Sequence, residues 1–188
     1  MWLAKVRYYG EFFLHAILIV ALAVVGLWRA YPEQGAVWLA AAISGAAIWT
    51  LVEYSLHRVV LHHLPYVRER HEAHHDDQTA LIVIPVWLSL GLFACLSLLP
   101  LWLLAGRVVA TGITGGLLLG YLWFDTVHHA IHHWRLDPST YGYRLKRRHM
   151  LHHHVDDAGN FGVSTGFWDV VFGTDIKVGR AASSDRRG

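Results

Sequence analysis

Residues 12–28, 34–52, 79–106 and 108–124 contain no Asp, Glu, Lys or Arg. In a chain of 188 residues, so much uncharged apolar sequence leaves few folds open. A helix rises about 1.5 Å per residue, so each run is close to, or beyond, the length that crosses roughly 30 Å of hydrocarbon. In lipid the backbone polar groups must be satisfied within the segment, which selects helices. The expectation is an all-α integral membrane protein with spans near 12–28, 34–56, 80–105 and 108–127. The last two runs, split by Arg107, read as a helical hairpin that crosses and returns; the alternative is one span plus a re-entrant segment. Pro85 and Pro100 are expected to kink or end the helix that holds them. Ala40, Ala41, Ala42, Ser44, Gly45, Ala46 and Ala47 suit close packing of one helix on another.

Composition agrees with a membrane frame. Hydrophobic residues make up 54% of the chain, with nine Trp, eight Tyr and seven Phe, and aromatics of this kind concentrate at membrane interfaces. A net charge of +2 gives no footing for nucleic-acid binding. Cys95 stands alone, so an intramolecular disulfide and a cysteine metal site are both excluded. Lys5 and Arg7 ahead of the first run look like a signal peptide, but that run is long and no small-x-small cleavage site follows. It is expected to be an uncleaved anchor.

Four spans place the N-terminus, the 53–80 loop and everything after residue 125 on one side. That side carries Lys5, Arg7, Arg58, Arg68, Arg70, Arg135, Arg144, Lys146, Arg147, Arg148, Lys177, Arg180, Arg186 and Arg187, against Arg29 and Arg107 on the other. The positive-inside rule makes the first side cytoplasmic.

All histidines but His15 fall on that same side, in residues 57–75, 128–133 and 149–154. Neutral imidazole is a good ligand for iron, zinc and copper. His71, His74 and His75 follow an i, i+3, i+4 pattern that puts three rings on one helical face, and His149, His152 and His153 repeat it. His128 and His132 share a face at i, i+4, although His129, His132 and His133 offer the other pattern, and spacing does not choose between them. His57 and His62 lie about 140° apart on an ideal helix and converge only if the helix ends or bends there. Grouped imidazoles would repel if charged; a metal holds them neutral. The supply exceeds one ion's needs and suits two ions with open positions better than a closed structural zinc site.

His15 reads as a packed or interfacial residue. His63, His129, His133 and His154 adjoin stronger candidates and fit supporting hydrogen bonds or simple exposure. Glu53, one turn before His57, and Asp125, three residues before His128, are candidates to orient a ligand imidazole through its free N–H. Asp76, Asp156 and Asp157 read as solvated turn residues. Trp123, Phe124, Trp134, Tyr141 and Tyr143 are either a substrate entrance or interface anchors. Arg144, Lys146, Arg147 and Arg148 fit anionic headgroups, an acidic electron donor, or topology alone.

The series His57-x4-His62, His71-x2-His74-His75, His128-x3-His132 and His149-x2-His152-His153 resembles the fatty acid hydroxylase/sterol desaturase superfamily. The stretch Phe124-Asp125-Thr126-Val127-His128 and residues 160–174, NFGVSTGFWDVVFGT, look most like the fatty acid (ceramide) 2-hydroxylase branch. The resemblance covers residues 40–175 or so and favours His128 and His132 over His129 and His133. It implies a four-helix bundle under a cytosolic helical cap, with two metals held by His57, His62, His71, His74, His75, His128, His132, His149, His152 and His153. It further implies iron in the active enzyme, zinc in some purified forms, O2 as co-substrate, and hydroxylation of an unactivated C–H of a lipid, most readily an acyl chain. Residues 1–11 leave no room for a fused cytochrome b5 domain, so electrons are expected from a separate protein of cytochrome b5, ferredoxin or flavoprotein type.

Residues 1–180 are expected to form one membrane domain and 181–188 a disordered tail. Rival readings are a desaturase or a carotenoid or sterol hydroxylase on the same site, and a His-rich membrane metal transporter or storage protein. Transporters place their ligands near the bilayer midplane on broken helices, whereas these histidines sit at or beyond the helix ends.

Overall fold

The computed structural model describes residues 2–30, 33–81 and 85–176, the side chains of residues 3, 4, 29 and 30 excepted. Among the described residues every regular element is helical: α1 (Trp2–Ala30), α2 (Gly35–Ser55), α3 (Pro65–Asp76), α4 (Val86–Phe93), α5 (Leu99–His133), α6 (Tyr141–His154) and α7 (Phe167–Phe172). π-helical turns extend α2 over Leu56–Leu61 and join α4 to α5 over Ala94–Leu98. Three stretches among the described residues are long and apolar enough to cross a membrane: Lys5–Trp28, Gly35–Leu61 and Val86–His133.

The third stretch folds back on itself. Gly106 has φ 80° and ψ 171°, a conformation open to a residue without Cβ. Ser97 Oγ then lies 2.8 Å from Thr114 Oγ1, and the Phe93 and Tyr121 rings are 5.7 Å apart. On a straight helix residues 97 and 114 would be separated by about 25 Å. The reversal falls at Gly106 rather than at the charge of Arg107, because backbone freedom decides where a tight turn forms. Pro100 does not end its helix. It sits in the first turn of α5 directly after a π-helical turn, which absorbs the hydrogen bond that proline cannot make.

Two boundaries differ from expectation. Helix α1 begins at Trp2 instead of near residue 12, so the helix outruns its apolar segment. Helix α4 begins at Val86 instead of near residue 80, because Pro85 precedes it in extended conformation (φ −55°, ψ 124°). The proposed tail, 181–188, lies outside the described residues.

Small residues set the helix spacing. Gly112, Gly116 and Gly120 recur every fourth residue on α5 and meet Ala41, Ala42 and Trp49 of α2. A Cβ on Gly116 would stand 2.0 Å from the Ala42 carbonyl oxygen, so the two backbones are in direct contact. Leu22 of α1 covers Gly115 on the same limb of α5. Large apolar side chains point outward instead: Phe13, Ile17, Leu103 and Leu104 are exposed, the last at 86%. That inversion suits a lipid solvent.

At one end of this bundle sit α3, α6, α7 and the 155–166 loop. Ile131, Leu145 and Val163 form a buried apolar cluster with Phe124, Val127 and Met150 packed against it, tying α6 and the loop to the end of α5. The Tyr8 hydroxyl lies 3.0 Å from His129 Nδ1, so the start of α1 is at this same end.

Candidate metal centre

The histidine rings gather into two groups. His57, His62, His71 and His152 each offer a nitrogen within 4.8 Å of the others, and so do His74, His128, His132, His149 and His153. His75 stands at the edge of the first group, its Nε2 3.1 Å from His71 Nε2. All ten rings picked out by spacing and resemblance therefore come together.

The groups are built alike. Each HxxHH segment splits between them: α3 sends His71, with His75 beside it, to the first and His74 to the second, whereas α6 sends His152 to the first and His149 and His153 to the second. The ends of the long helices complete them, His57 and His62 in one, His128 and His132 in the other. The five-residue spacing of His57 and His62 resolves through the π-helical turn Leu56–Leu61. A π-helix bonds i to i+5, so residues five apart share a face, and the two rings stack at 5.3 Å.

Nitrogen chemistry fits metal ions. Within the groups, Nε2 faces Nε2 at 2.9–3.2 Å, as in His57–His71, His62–His71, His128–His149 and His149–His153. Two nitrogens bound about 2.1 Å from one ion stand roughly 3–4.2 Å apart. Three rings, those of His57, His62 and His75, aim Nε2 at the single Nε2 of His71, more than one ring proton can satisfy. The His152 Nε2 is buried with no hydrogen-bond partner among the described residues. The Nδ1–H of His57 donates to the Phe161 carbonyl at 2.5 Å and that of His152 to the Gly159 carbonyl at 2.8 Å. A carbonyl only accepts, so both rings carry their proton on Nδ1 and turn an Nε2 lone pair inward.

Electrostatics favours the same state. Burial, and then repulsion from neighbouring rings, lowers the pKa of His71, His153 and His149 well below the ordinary 6.5. His74 is lowered to about 4, by burial and then by His75. His152 is also lowered to about 4, by burial, with the Gly159 carbonyl opposing. The rings are thus neutral at physiological pH, as a ligand must be. These shifts have a stability consequence. The unfolded chain takes up these protons near pH 6.5 and the folded chain only near 4 for His74 and His152 and lower for the others, so stability is undiminished above 6.5 and declines as pH falls below it. Thermal unfolding of metal-free protein should show a flat Tm between pH 7 and 8 and a steady fall from about 6.5 to 4. A Tm rising over that window would contradict it.

The remaining candidates take other places. His129 meets Tyr8 and stacks on His133 at 4.4 Å; His63 is exposed, and His154 bonds Gln78. Glu53 holds no imidazole. Its carboxylate accepts from the Val163 and Ser164 N–H groups at 2.8 and 2.7 Å and from the Ser164 hydroxyl. Asp125 lines a cavity together with Glu11, whose carboxylate accepts from the Tyr121 hydroxyl at 3.3 Å. His15 is fully buried, bonded to the Glu11 carbonyl and the Ser89 hydroxyl. Of the aromatic rim only Phe124 lines that cavity, while Trp123, Trp134, Tyr141 and Tyr143 are exposed. Arg148 pairs with Asp169 at 3.2 Å and with Asp175, and Lys146 donates to the Trp134 carbonyl.

Asp169 and Asn160 escaped the sequence reading. Asp169 is fully buried and accepts from the Phe161 and Gly162 N–H groups and the Thr174 hydroxyl. Asn160, at φ 54°, donates to the Arg148 carbonyl and accepts from the Ile176 N–H. The available signal was an acid set between bulky apolar residues in FWDVVF.

The cavity, about 150 Å³, lies between the start of α1, α3 and the end of α5. Its wall includes His74, His128 and His132 from the second group but only His71 from the first, with Phe12, Leu61, Val67 and Phe124 as apolar lining.

The model of the family described as fatty acid hydroxylase matches residues 42–174, which contain every ring of both groups. This chain belongs to the fatty acid hydroxylase family. Dihydroceramide fatty acyl 2-hydroxylase of Arabidopsis thaliana is 34% identical over 69% of the chain and 58% of its own length. Fatty acid 2-hydroxylase of Homo sapiens is 33% identical over 69% of the chain and 38% of its own. Ceramide very long chain fatty acid hydroxylase of Schizosaccharomyces pombe is 32% identical over 71% and 41%. The chain spans less than two thirds of the length of each. A solved structure of full-length scs7p, in which only the hydroxylase domain is visible, superposes with a TM-score of 0.76 at 28% identity, covering 91% of this chain and 67% of that one. Helix α1 lies outside the residues that the family model matches.

Proposed function

We propose that this chain is a membrane lipid hydroxylase that inserts one oxygen atom of O2 into the acyl chain of a ceramide-type lipid, next to its carbonyl. The observation that carries the reading is the pair of converging, neutral histidine groups at the membrane end of an apolar bundle, one of them walling a cavity with apolar lining. The names of the relatives supply the acyl chain and the carbon.

In this reading residues 1–180 form one domain. The two limbs of Val86–His133 each cross the bilayer, giving four spans, and α3, α6 and the loop around residue 160 form a cap on the cytoplasmic side. His57, His62, His71, His75 and His152 hold one ion, and His74, His128, His132, His149 and His153 hold the other. Both are iron in the active enzyme, with zinc able to replace them. When bound, the ions supply the activation of O2 and the transfer of electrons drawn from a separate carrier protein.

The chain's own residues do the rest. Phe12, Leu61, Val67 and Phe124 take the acyl chain from the bilayer and exclude water, while the walls at His74, His128 and His132 set which carbon comes nearest. The stacking of Phe124 on His128, at 5.7 Å and 6°, joins the apolar wall to the ligand set.

The test is expression in a host without the activity, with a reductase system supplied, and mass spectrometry of its lipids. Gain of one oxygen at carbon 2 of an amide-linked acyl chain is expected. Loss of two hydrogens without oxygen would make it a desaturase, and two bound metals with unchanged lipids would sink the enzyme reading.

A further inference from the structure

The two histidine groups differ in what lies behind them. In the first, the Nδ1 atoms of His57 and His152 are anchored on the carbonyls of Phe161 and Gly159. In the second, the Nδ1 atoms of His149 and His153 are buried without a hydrogen-bond partner among the described residues. Both anchoring carbonyls belong to residues 159–164, an irregular segment whose own backbone needs holding in place.

Two buried carboxylates do that. Glu53 receives the N–H groups of Val163 and Ser164, and Asp169 those of Phe161 and Gly162. A carboxylate is costly to bury unless its oxygens are occupied, and here the occupants are backbone donors of one segment. Arg148 pairs with Asp169, and Thr174 bonds both Asp169 and Tyr54 of α2. A closed circuit results on α2: Glu53 holds the segment, and the segment's Phe161 carbonyl holds His57, one turn further along the same helix.

We propose that Glu53 and Asp169 are positioning residues for one metal site and not for the other. Through residues 159–164 they fix the His57 and His152 rings, and so tighten the ion held by His57, His62, His71, His75 and His152. The ion among His74, His128, His132, His149 and His153, which walls the cavity, lacks this support and exchanges more freely. The proposal rests on the two-metal reading above.

The test uses the full chain, purified in detergent and loaded with Co(II), with bound metal counted and its visible absorption followed during challenge with a chelator. His62→Ala and His128→Ala supply the reference spectra of a chain lacking one or the other site. Wild type should release its ions in two phases, the slow one belonging to the site lost in His62→Ala. Glu53→Ala should speed that phase by about ten- to a hundredfold, the range for removing an orienting partner, and leave the fast phase unchanged. Asp169→Asn should act in the same direction. Glu53→Gln, which keeps an oxygen for the Val163 and Ser164 N–H groups, should restore most of the slow phase. Should Glu53→Ala fail to fold, Ser164→Ala, which removes only the hydroxyl donor, should give a smaller acceleration of the same phase. Equal acceleration of both phases, or none in any folded variant, overturns the proposal while leaving the two-metal reading intact. A wild-type chain that binds fewer than two ions overturns both.

Discussion

Replacing the adjacent residues His152 and His153 by alanine should empty both metal sites and bring lipid hydroxylation down to background. Successive helical residues project about 100° apart, and this pair uses that angle to reach in two directions. His152 belongs to the group with His57, His62 and His71, and His153 to the group with His74, His128, His132 and His149. One dipeptide thus removes a ligand from each ion. Loss of a direct ligand should weaken each ion by at least the roughly hundredfold that marks the upper range for outer partners. The neighbour His154, exposed and bonded to Gln78, serves as control, and its alanine variant should keep two metals and wild-type product. The measurement is metal per chain beside product mass. Product near the wild-type level in the double variant would mean that these rings are not ligands.

The second large effect lies in the frame. Gly116→Ala should destabilise the protein by about 3 kcal/mol, near the top of the usual range for overpacking. The added Cβ would stand 2.0 Å from the Ala42 carbonyl oxygen and 2.8 Å from the Ala46 nitrogen. Both are backbone atoms of α2, so a helix must move, not a side chain. Gly91, on α4, offers the contrast: a Cβ there meets nothing within 4 Å, and alanine should stabilise by roughly 0.5–1 kcal/mol through the unfolded state. Thermal unfolding in detergent compares the two. Equal Tm values for both variants would show that α2 and α5 are not held at backbone contact.

Helix contact and metal assembly are linked. His57 extends from α2 and His128 from α5, so the distance that Gly112 and Gly116 permit between those helices also sets the distance between the two ligand groups. The same substitution should therefore lower metal content in any fraction that folds.

Much of this was legible in the order of residues. Uncharged runs announced the membrane frame because lipid leaves the backbone no alternative to helices. The i, i+4 spacing announced which histidines share a face because helix geometry is local. The pairs His71/His75, His128/His132 and His149/His153 follow directly from it. Local geometry stops there. On one helix face His74 and His152 look like members of their own triplets, yet each crosses to the other group, since the rings of α3 and α6 meet face to face. His57 and His62 are mismatched on an α-helix and aligned on a π-helix, and the order of residues did not announce which would form.

Glu53 marks the same boundary. Its place before His57 pointed to an imidazole; its actual partners are backbone amides more than a hundred residues away. Asp169, Asn160 and the Gly159 and Phe161 carbonyls were invisible for a like reason: a loop's use of its backbone depends on what is folded against it. The sequence alone determined a helical membrane frame with its histidines at one end and the pairs that can act together. Only the tertiary structure decided which ring joins which group and which of the two is braced from behind, because both depend on contacts between segments that no local rule relates.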